Sequence, residues 1–355
     1  MRQLNIYKGK KVLVTGHTGF KGSWLSIWLT GLGANVTGFS LQDWENDYLF
    51  KKARLSGRLS DERGDISDLK RLGEVFALHK PDIVFHLAAQ PLVRDSYRDP
   101  VKTFLTNTMG TVNILECIRS SAHAVSGVII TTDKCYKNRE QSIGYKETDV
   151  LGGHDPYSAS KAAAELVIDS YRNSFFADSG KLVASARAGN NLGGGDNSKD
   201  RIMPDCIYAL KEGRAIAVRN PDSTRPWQHV LEPLYGYMLL GYGLLCGKAI
   251  FADSWNFGPE KGSIVPVSNI TDLVVKYWGS GRWIDSHDPD SPHEAKLLSL
   301  DISKAETILG WKPKWNIEKT VKMTVDWYRN VDKCDAYRLC MDQIEEYVDA
   351  GKEND

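Results

Sequence analysis

The stretch KVLVTGHTGFKGSWLSIWL, residues 11–29, constrains the fold more than any other part of the chain. A short apolar run breaks into glycines at positions 16, 19 and 22 and then into a helix with an apolar face. Glycines in that place let the backbone turn tightly and approach a pyrophosphate, whose charge is met by amides at the helix N-terminus. A bare glycine triplet also suits an ordinary strand-to-helix turn. Its place here, after an apolar strand and opening a helix near the N-terminus, selects the phosphate-binding reading.

The alternation continues. Candidate strands are KVLVT (11–15), NVTGF (35–39), DIVFHLA (82–88), GVIIT (127–131) and LVASA (182–186), separated by helical patterns at 21–32, 67–79, 98–121 and 156–178. Asp155 as N-cap and Pro156 in the first turn mark the start of the last helix. This is the pattern of an α/β Rossmann-type, doubly wound parallel sheet covered on both faces. After residue 188 the run GNNLGGGDNSKDR is too polar for a core and opens a smaller mixed α/β lobe. Residues 228–262 return to an apolar helix and a short strand, SWNFGP. The expected division is a dinucleotide-binding domain at 1–188, completed by about 228–262, and a substrate lobe at 189–227 and 263–355.

Composition excludes several classes. Lys plus Arg and Asp plus Glu are 45 each, so no overall basic field draws nucleic acid or an anionic membrane, and an anionic partner must be met locally. The longest apolar stretch, YGYMLLGYGLLCG (235–247), is too short for a bilayer span and reads as a buried helix. The N-terminus lacks the apolar stretch and cleavage site of a signal peptide, which implies the cytoplasm. Six cysteines without CxxC spacing indicate neither zinc nor a disulfide framework, so no metal is expected.

Two segments carry chemistry. DPYSASKAAAEL sets Tyr157 and Lys161 four residues apart, on one face of a helix. A phenol with a pKa of about 10 is a poor base, but an ammonium one turn away together with an oxidised nicotinamide favours the phenolate. Tyr157 then takes the proton of a hydroxyl while hydride leaves the same carbon. The second segment, TTDKCY (131–136), sets Asp133 beside Lys134 where the GVIIT strand ends, the edge at which open parallel sheets bind ligands.

The loop TGHTGFKG resembles the TGxxGxxG loop of the extended short-chain dehydrogenase/reductase family, which implies NAD as cofactor and contacts from Gly16, Thr18, Gly19, Phe20, Lys21 and Gly22. Where that family often ends its second strand in an acid, this chain has Ser40. His17 is unusual in such a loop, and Lys21 is either a solvated helix residue or a further phosphate contact. By the same resemblance Asp65 and Ile66 match an adenine-contacting pair, Leu87, Ala88, Ala89 and Gln90 a nicotinamide-side loop, and Asn107 a structural asparagine. The competing role for Asp65 is the N-cap of the next helix. Thr132 falls where the family keeps a Ser or Thr, completing a set with Tyr157 and Lys161.

A dehydrogenase or epimerase of this kind needs only those three groups. TTDKCY resembles the loop of the nucleotide-sugar 4,6-dehydratases, in which the two residues after the threonine eliminate water across C5 and C6. Lysine in the second place resembles the CDP-glucose-specific subgroup, as do RAGNNLGGGD (187–196), DRIMPD (200–205) and RPWQHVLEPL (225–234). The resemblance implies a lyase converting CDP-D-glucose to CDP-4-dehydro-6-deoxy-D-glucose, with Asp133 as acid and Lys134 as the C5 base, for dideoxy sugars of O-antigen and lipopolysaccharide. An ion pair between Asp133 and Lys134 is the plainer alternative. Asn190 is implied at the diphosphate. Arg201, Arg219 and Arg225 are either phosphate ligands or surface charges, and Trp227 is a base-stacking platform or core packing. Helices 98–121 and 156–178 are implied in a dimer-forming four-helix bundle, giving a homodimer or homotetramer. The rival activities are a nucleotide-sugar epimerase or a dehydratase for another nucleotide, and the rival class is a non-catalytic cofactor-sensing module.

Overall fold

A computed structural model of the chain describes residues 2–42, 47–198, 200–286 and 297–350. Its centre is a seven-stranded sheet in which every pairing is parallel. The strands are β1 (Lys11–Thr15), β2 (Asn35–Ser40), β3 (Ser60–Arg63), β4 (Ile83–His86), β5 (Ser126–Ile130), β6 (Val183–Ala188) and a late strand, Ser254–Phe257. They lie in the order late strand, β6, β5, β4, β1, β2, β3. The order reverses between β1 and β4, the point at which doubly wound sheets open a ligand crevice.

β1, β2, β4, β5 and β6 fall where the apolar runs predict them. β3, with the sequence SDER, does not stand out because it is a partly exposed edge strand whose residues need not be apolar. β6 runs on past the expected Ala186 to include the buried Arg187. Helix boundaries follow their caps. Asp155 accepts a hydrogen bond from the Ser158 amide at 2.9 Å and opens the helix Pro156–Tyr171 as expected. The cap of the helix Leu69–His79 is Asp68, not Asp65; the Asp65 carboxylate accepts from Ser67 instead. The expected helix 98–121 is interrupted: Asp99 caps Pro100–Phe104, a wide π turn follows at Leu105–Met109, and a second α-helix runs Gly110–Ser120.

One face of the sheet is covered by α1 (Phe20–Gly31), the apolar helix Leu231–Leu245 and the C-terminal helices Ile317–Asn330 and Ala336–Asp349, which bury Trp24, Trp28, Trp255 and Trp327. The helices Leu69–His79, Gly110–Ser120 and Pro156–Tyr171 cover the other with Leu72, Ile114 and Ile168. Short paired strands cap the carboxyl edge, Thr224–Pro226 against Ile264–Pro266 and Ile216–Val218 against Trp283–Asp285. Of the segment expected as the substrate lobe, Lys199, 287–296 and 351–355 lie outside the described residues. No helix among the described residues is long and apolar enough to cross a membrane.

Candidate active site

A cleft of about 1390 Å³ runs across the carboxyl ends of β1, β2, β4, β5 and β6. Its first wall is mostly backbone. Gly16 has φ +72°, and a Cβ there would lie 2.7 Å from the Ala88 amide nitrogen; a Cβ on Gly22 would lie 2.1 Å from the Gly16 carbonyl oxygen. The loop therefore seats on the segment after β4 only as glycine. Gly19, the N-cap of α1, makes no side-chain cap, so the first-turn amides of this 12-residue helix have no side-chain acceptor. That cradle fits a dinucleotide diphosphate, and the residues of the loop that could hold it, Gly16, Thr18, Gly19, Phe20 and Gly22, all line the cleft. Lys21 also faces the cleft and is not a solvated helix residue: burial and the nearby charges of Arg201 and Lys161 push its ammonium down to about 7, while Asp133 and Asp196 draw it up.

Asp65, Ile66, Leu87, Ala88 and Ala89 line the same side. Gln90 and Asn107 stand behind it. The Asn107 amide accepts from the Gln90 amide at 2.8 Å and donates to the Gln90 carbonyl and the Ser160 hydroxyl, tying the loop after β4 to the helix that carries Tyr157. His17 is turned away from the cleft. Its buried ring pairs with Asp61 at 2.9 Å and lies where a Cβ on Gly38 would sit, so its role is to hold the loop against β2 and β3.

At the centre, Asp133–Cys135 forms a single 3-10 turn in which the Thr132 hydroxyl accepts from the Lys134 amide. That turn aims Asp133 into the cleft. The Asp133 carboxyl is 2 % exposed, accepts one bond from Thr132 at 3.0 Å, and leaves Oδ2 without a partner. Burial raises its pKa against the opposing charges of Lys134 and Lys21. A Cβ on Gly189 would come within 3.0 Å of Oδ2, so glycine there keeps the carboxyl accessible. The Lys134 ammonium has no hydrogen bond and no ion-pair partner within 4.0 Å among the described residues, so the plain Asp133–Lys134 ion pair is not formed.

Tyr157 and Lys161 share the buried face of their helix, as their spacing requires. One expectation is corrected. Burial pushes the Tyr157 phenol up to about 12, against a hydrogen bond from Thr132 and the charge of Arg201. Lys161, itself lowered to about 8 by burial, donates to the Ile130 carbonyl at 3.1 Å. Its ammonium therefore does not by itself make the phenol acidic; desolvation is the larger effect.

The opposite wall is made of long side chains. Asn190, Arg201, Arg219 and Arg225 all reach the cleft. Arg201 pairs with the buried Asp196 at 3.0 Å, Arg219 with Asp200 at 2.7 Å, and Arg225 donates to the Thr224 carbonyl at 2.8 Å. They are anchored groups, not loose surface charges. Trp227 is 4 % exposed, packed in the main core, and donates from Nε1 to the Val265 carbonyl. It is a core residue that also lines the cleft.

Sequence reasoning missed the acids that hold this wall, Asp196 and Asp200, and the buried Glu165 and Arg187 below the floor. Glu165 carries a visible signal, since it continues the four-residue stripe of Tyr157 and Lys161.

The CDP-glucose 4,6-dehydratase of Salmonella typhimurium (strain LT2) is 45 % identical over 353 residues, covering 98 % of both chains. The dTDP-glucose 4,6-dehydratase 1 of Escherichia coli K12 is 28 % identical over 90 % of this chain and 92 % of its own. A dTDP-glucose 4,6-dehydratase structure from Streptomyces venezuelae with NAD bound has a TM-score of 0.75 at 25 % identity, over 90 % of this chain and 97 % of that one. Residues 13–240, more than half of the sequence, match the family described as GDP-mannose 4,6 dehydratase. On that match, and on a relative aligned almost end to end, the chain belongs to the GDP-mannose 4,6 dehydratase family.

Proposed function

We propose that the protein is an NAD-dependent CDP-glucose 4,6-dehydratase that removes water from CDP-D-glucose to give CDP-4-dehydro-6-deoxy-D-glucose. The observation that carries this reading is Asp133: a buried carboxyl with a raised pKa and an unpartnered oxygen, one residue past Thr132. An epimerase has no use for such an acid. Likeness to a relative named for CDP-glucose supports the choice of nucleotide.

The chain's own groups divide the work. Thr132 orients the C4 hydroxyl and Tyr157 takes its proton, with Arg201 offsetting the phenolate charge. NAD, which Gly16, Thr18, Gly19, Phe20 and Gly22 would hold, would supply a hydride acceptor for C4 and a hydride donor for C6. The C4 ketone acidifies the C5 proton, which Lys134 removes. Asp133, protonated, gives its proton to the C6 hydroxyl, which departs as water. Lys134 then returns a proton to C5 as C6 is reduced, and the proton taken by Tyr157 balances the one lost by Asp133. The net change is loss of one water, with no net oxidation.

Residues 1–188, completed by 228–262, act as the dinucleotide half, and 189–227 with 263–355 as the nucleotide-sugar half. Arg201, Arg219 and Arg225 suit the diphosphate as guanidinium forks. Val101 on the helix before the π turn, Leu105 and Met109 in the turn itself, and Leu166 on the Tyr157 helix are exposed, which supports a dimer formed across them. The setting we propose is the cytoplasm, on the route to dideoxy sugars of bacterial surface polysaccharide. Incubating the chain with NAD and, in parallel, CDP-glucose, UDP-glucose, dTDP-glucose and GDP-mannose should give a dehydrated product by mass from CDP-glucose first. Preference for another nucleotide overturns the cytidine assignment, and an epimer without mass loss overturns the lyase.

A further inference from the structure

Beneath the floor of the cleft lies a polar network that no proton-transfer step uses. Glu165 follows Lys161 by one helical turn and Tyr157 by two, and its side chain is 1 % exposed. Its carboxylate accepts from the Ser185 hydroxyl at 2.8 Å, from Arg187 at 2.8 Å, and from the Thr131 hydroxyl. Arg187, 3 % exposed, donates in turn to the Tyr136 hydroxyl at 2.7 Å and to the Glu147 carbonyl at 3.1 Å. Tyr136 donates onward to Asn256 at 2.8 Å.

Thr131, two residues before the turn, and Tyr136, directly after it, thus both end on one ion pair, and the acid of that pair belongs to the helix of Tyr157 and Lys161. We propose that the Glu165–Arg187 pair is a positioning strut that holds the elimination groups Asp133 and Lys134 in register with the oxidation groups Tyr157 and Lys161, so that the C4 ketone is dehydrated before it escapes.

Stability alone is a poor reason for such a pair. Two charges taken out of water recover their desolvation cost only with good geometry, and apolar replacements of such pairs are often no less stable. Here Arg187 Nε is left buried without a partner, a residual cost the fold tolerates. What the pair provides that packing does not is a fixed distance between two separately carried sets of groups. It also has an electrostatic arm, since the Glu165 charge favours the ammonium of Lys161 against burial.

The inference rests on the dehydratase reading, and its test separates the two. Glu165→Gln would leave Arg187 buried and uncompensated, so the informative variants are Thr131→Val and Tyr136→Phe, each of which cuts one arm without stranding a charge. In single turnover of the NAD-loaded protein with CDP-glucose, reduced-cofactor absorbance reports C4 oxidation and quenched-flow mass reports dehydration. The ratio of dehydration rate to oxidation rate should fall about tenfold in each variant, the scale of a small misplacement of reacting groups. An unchanged ratio overturns the strut, whether both rates fall together or neither does. Amide hydrogen exchange needs no substrate: faster exchange confined to 132–136 is expected in both variants, and unchanged exchange there overturns the anchoring. Should the unaltered protein fail to turn over CDP-glucose, the substrate reading is lost while the exchange measurement still decides the strut.

Discussion

The wall of the cleft under the phosphate loop is made of backbone, whereas the wall facing it is made of arginines held out by aspartates. The first is rigid because Gly16 and Gly22 leave no space between the loop and its neighbours. The second is built from pairs in which one or both partners touch solvent, such as Arg219 with Asp200. A backbone wall cannot be adjusted a little, while side-chain counter-ions can be exchanged for a ligand's own charges. The cofactor side thus suits one diphosphate held in one way, and the sugar side suits a substrate that enters and leaves each cycle.

The largest effect is expected where the walls meet. Asp133→Asn keeps the shape but cannot supply a proton, and dehydration should fall about a thousandfold with C4 oxidation retained, read as accumulated reduced cofactor. In the unaltered protein the acid form is the working one, so the dehydration rate should decline as pH rises through the elevated value of Asp133. A rate that rises there instead would remove Asp133 as the acid. Next, Gly22→Ala drives a methyl group into the Gly16 carbonyl, and NAD affinity by titration should drop about a hundredfold; an unchanged affinity would break the claim that this wall is unyielding.

Arg219→Ala tests the adjustable wall. KM for the nucleotide sugar should rise about tenfold with kcat nearly unchanged, the mark of lost uniform binding. A fall in kcat with KM unchanged would place Arg219 in the chemistry and blur the contrast. The smallest effect lies outside the cleft. Glu232 is fully buried, accepting from the Lys314 and Trp315 amides and the Tyr347 hydroxyl, and burial raises it from 4.5 to about 7. Its folded form holds the proton more tightly than the unfolded chain, so its contribution to stability is full below about pH 4.5 and is lost as pH rises to about 7. Glu232→Gln should flatten that loss, by about 2 kcal/mol in denaturant titrations at pH 5 and 8, and leave KM unchanged.

The same contrast explains what could be read in advance. Backbone demands write themselves into composition: Gly16, Gly19 and Gly22 after an apolar strand, Asp155 and Pro156 before a helix. Tyr157, Lys161, Thr132 and Asp133 were found because their spacing or their place at a strand end is local. The aspartates opposite were not, since Asp196 and Asp200 sit in a run of glycine and polar residues that looks like open loop, and only the folded chain brings them to Arg201 and Arg219. Arg187 was hidden for a related reason. An arginine inside a buried strand ends an apolar pattern unless its counter-charge is known, and Glu165 arrives from another helix. β3 lacked any apolar alternation because an edge strand is wetted on one side.

The late strand Ser254–Phe257 has a consequence for how the protein is made. It covers the outer margin of β6 with residues that leave the ribosome some seventy positions after it, and its Asn256 completes the hydrogen-bond chain through Tyr136. Until then a nascent chain displays an open row of amides and carbonyls, the kind of surface that recruits a neighbouring polypeptide. Translation stalled or cut short before that point would release a molecule with its phosphate loop and both reactive pairs already synthesised, yet with a sticky margin and an unfinished floor, so the cell's exposure to misassembly is set by how quickly that interval is read.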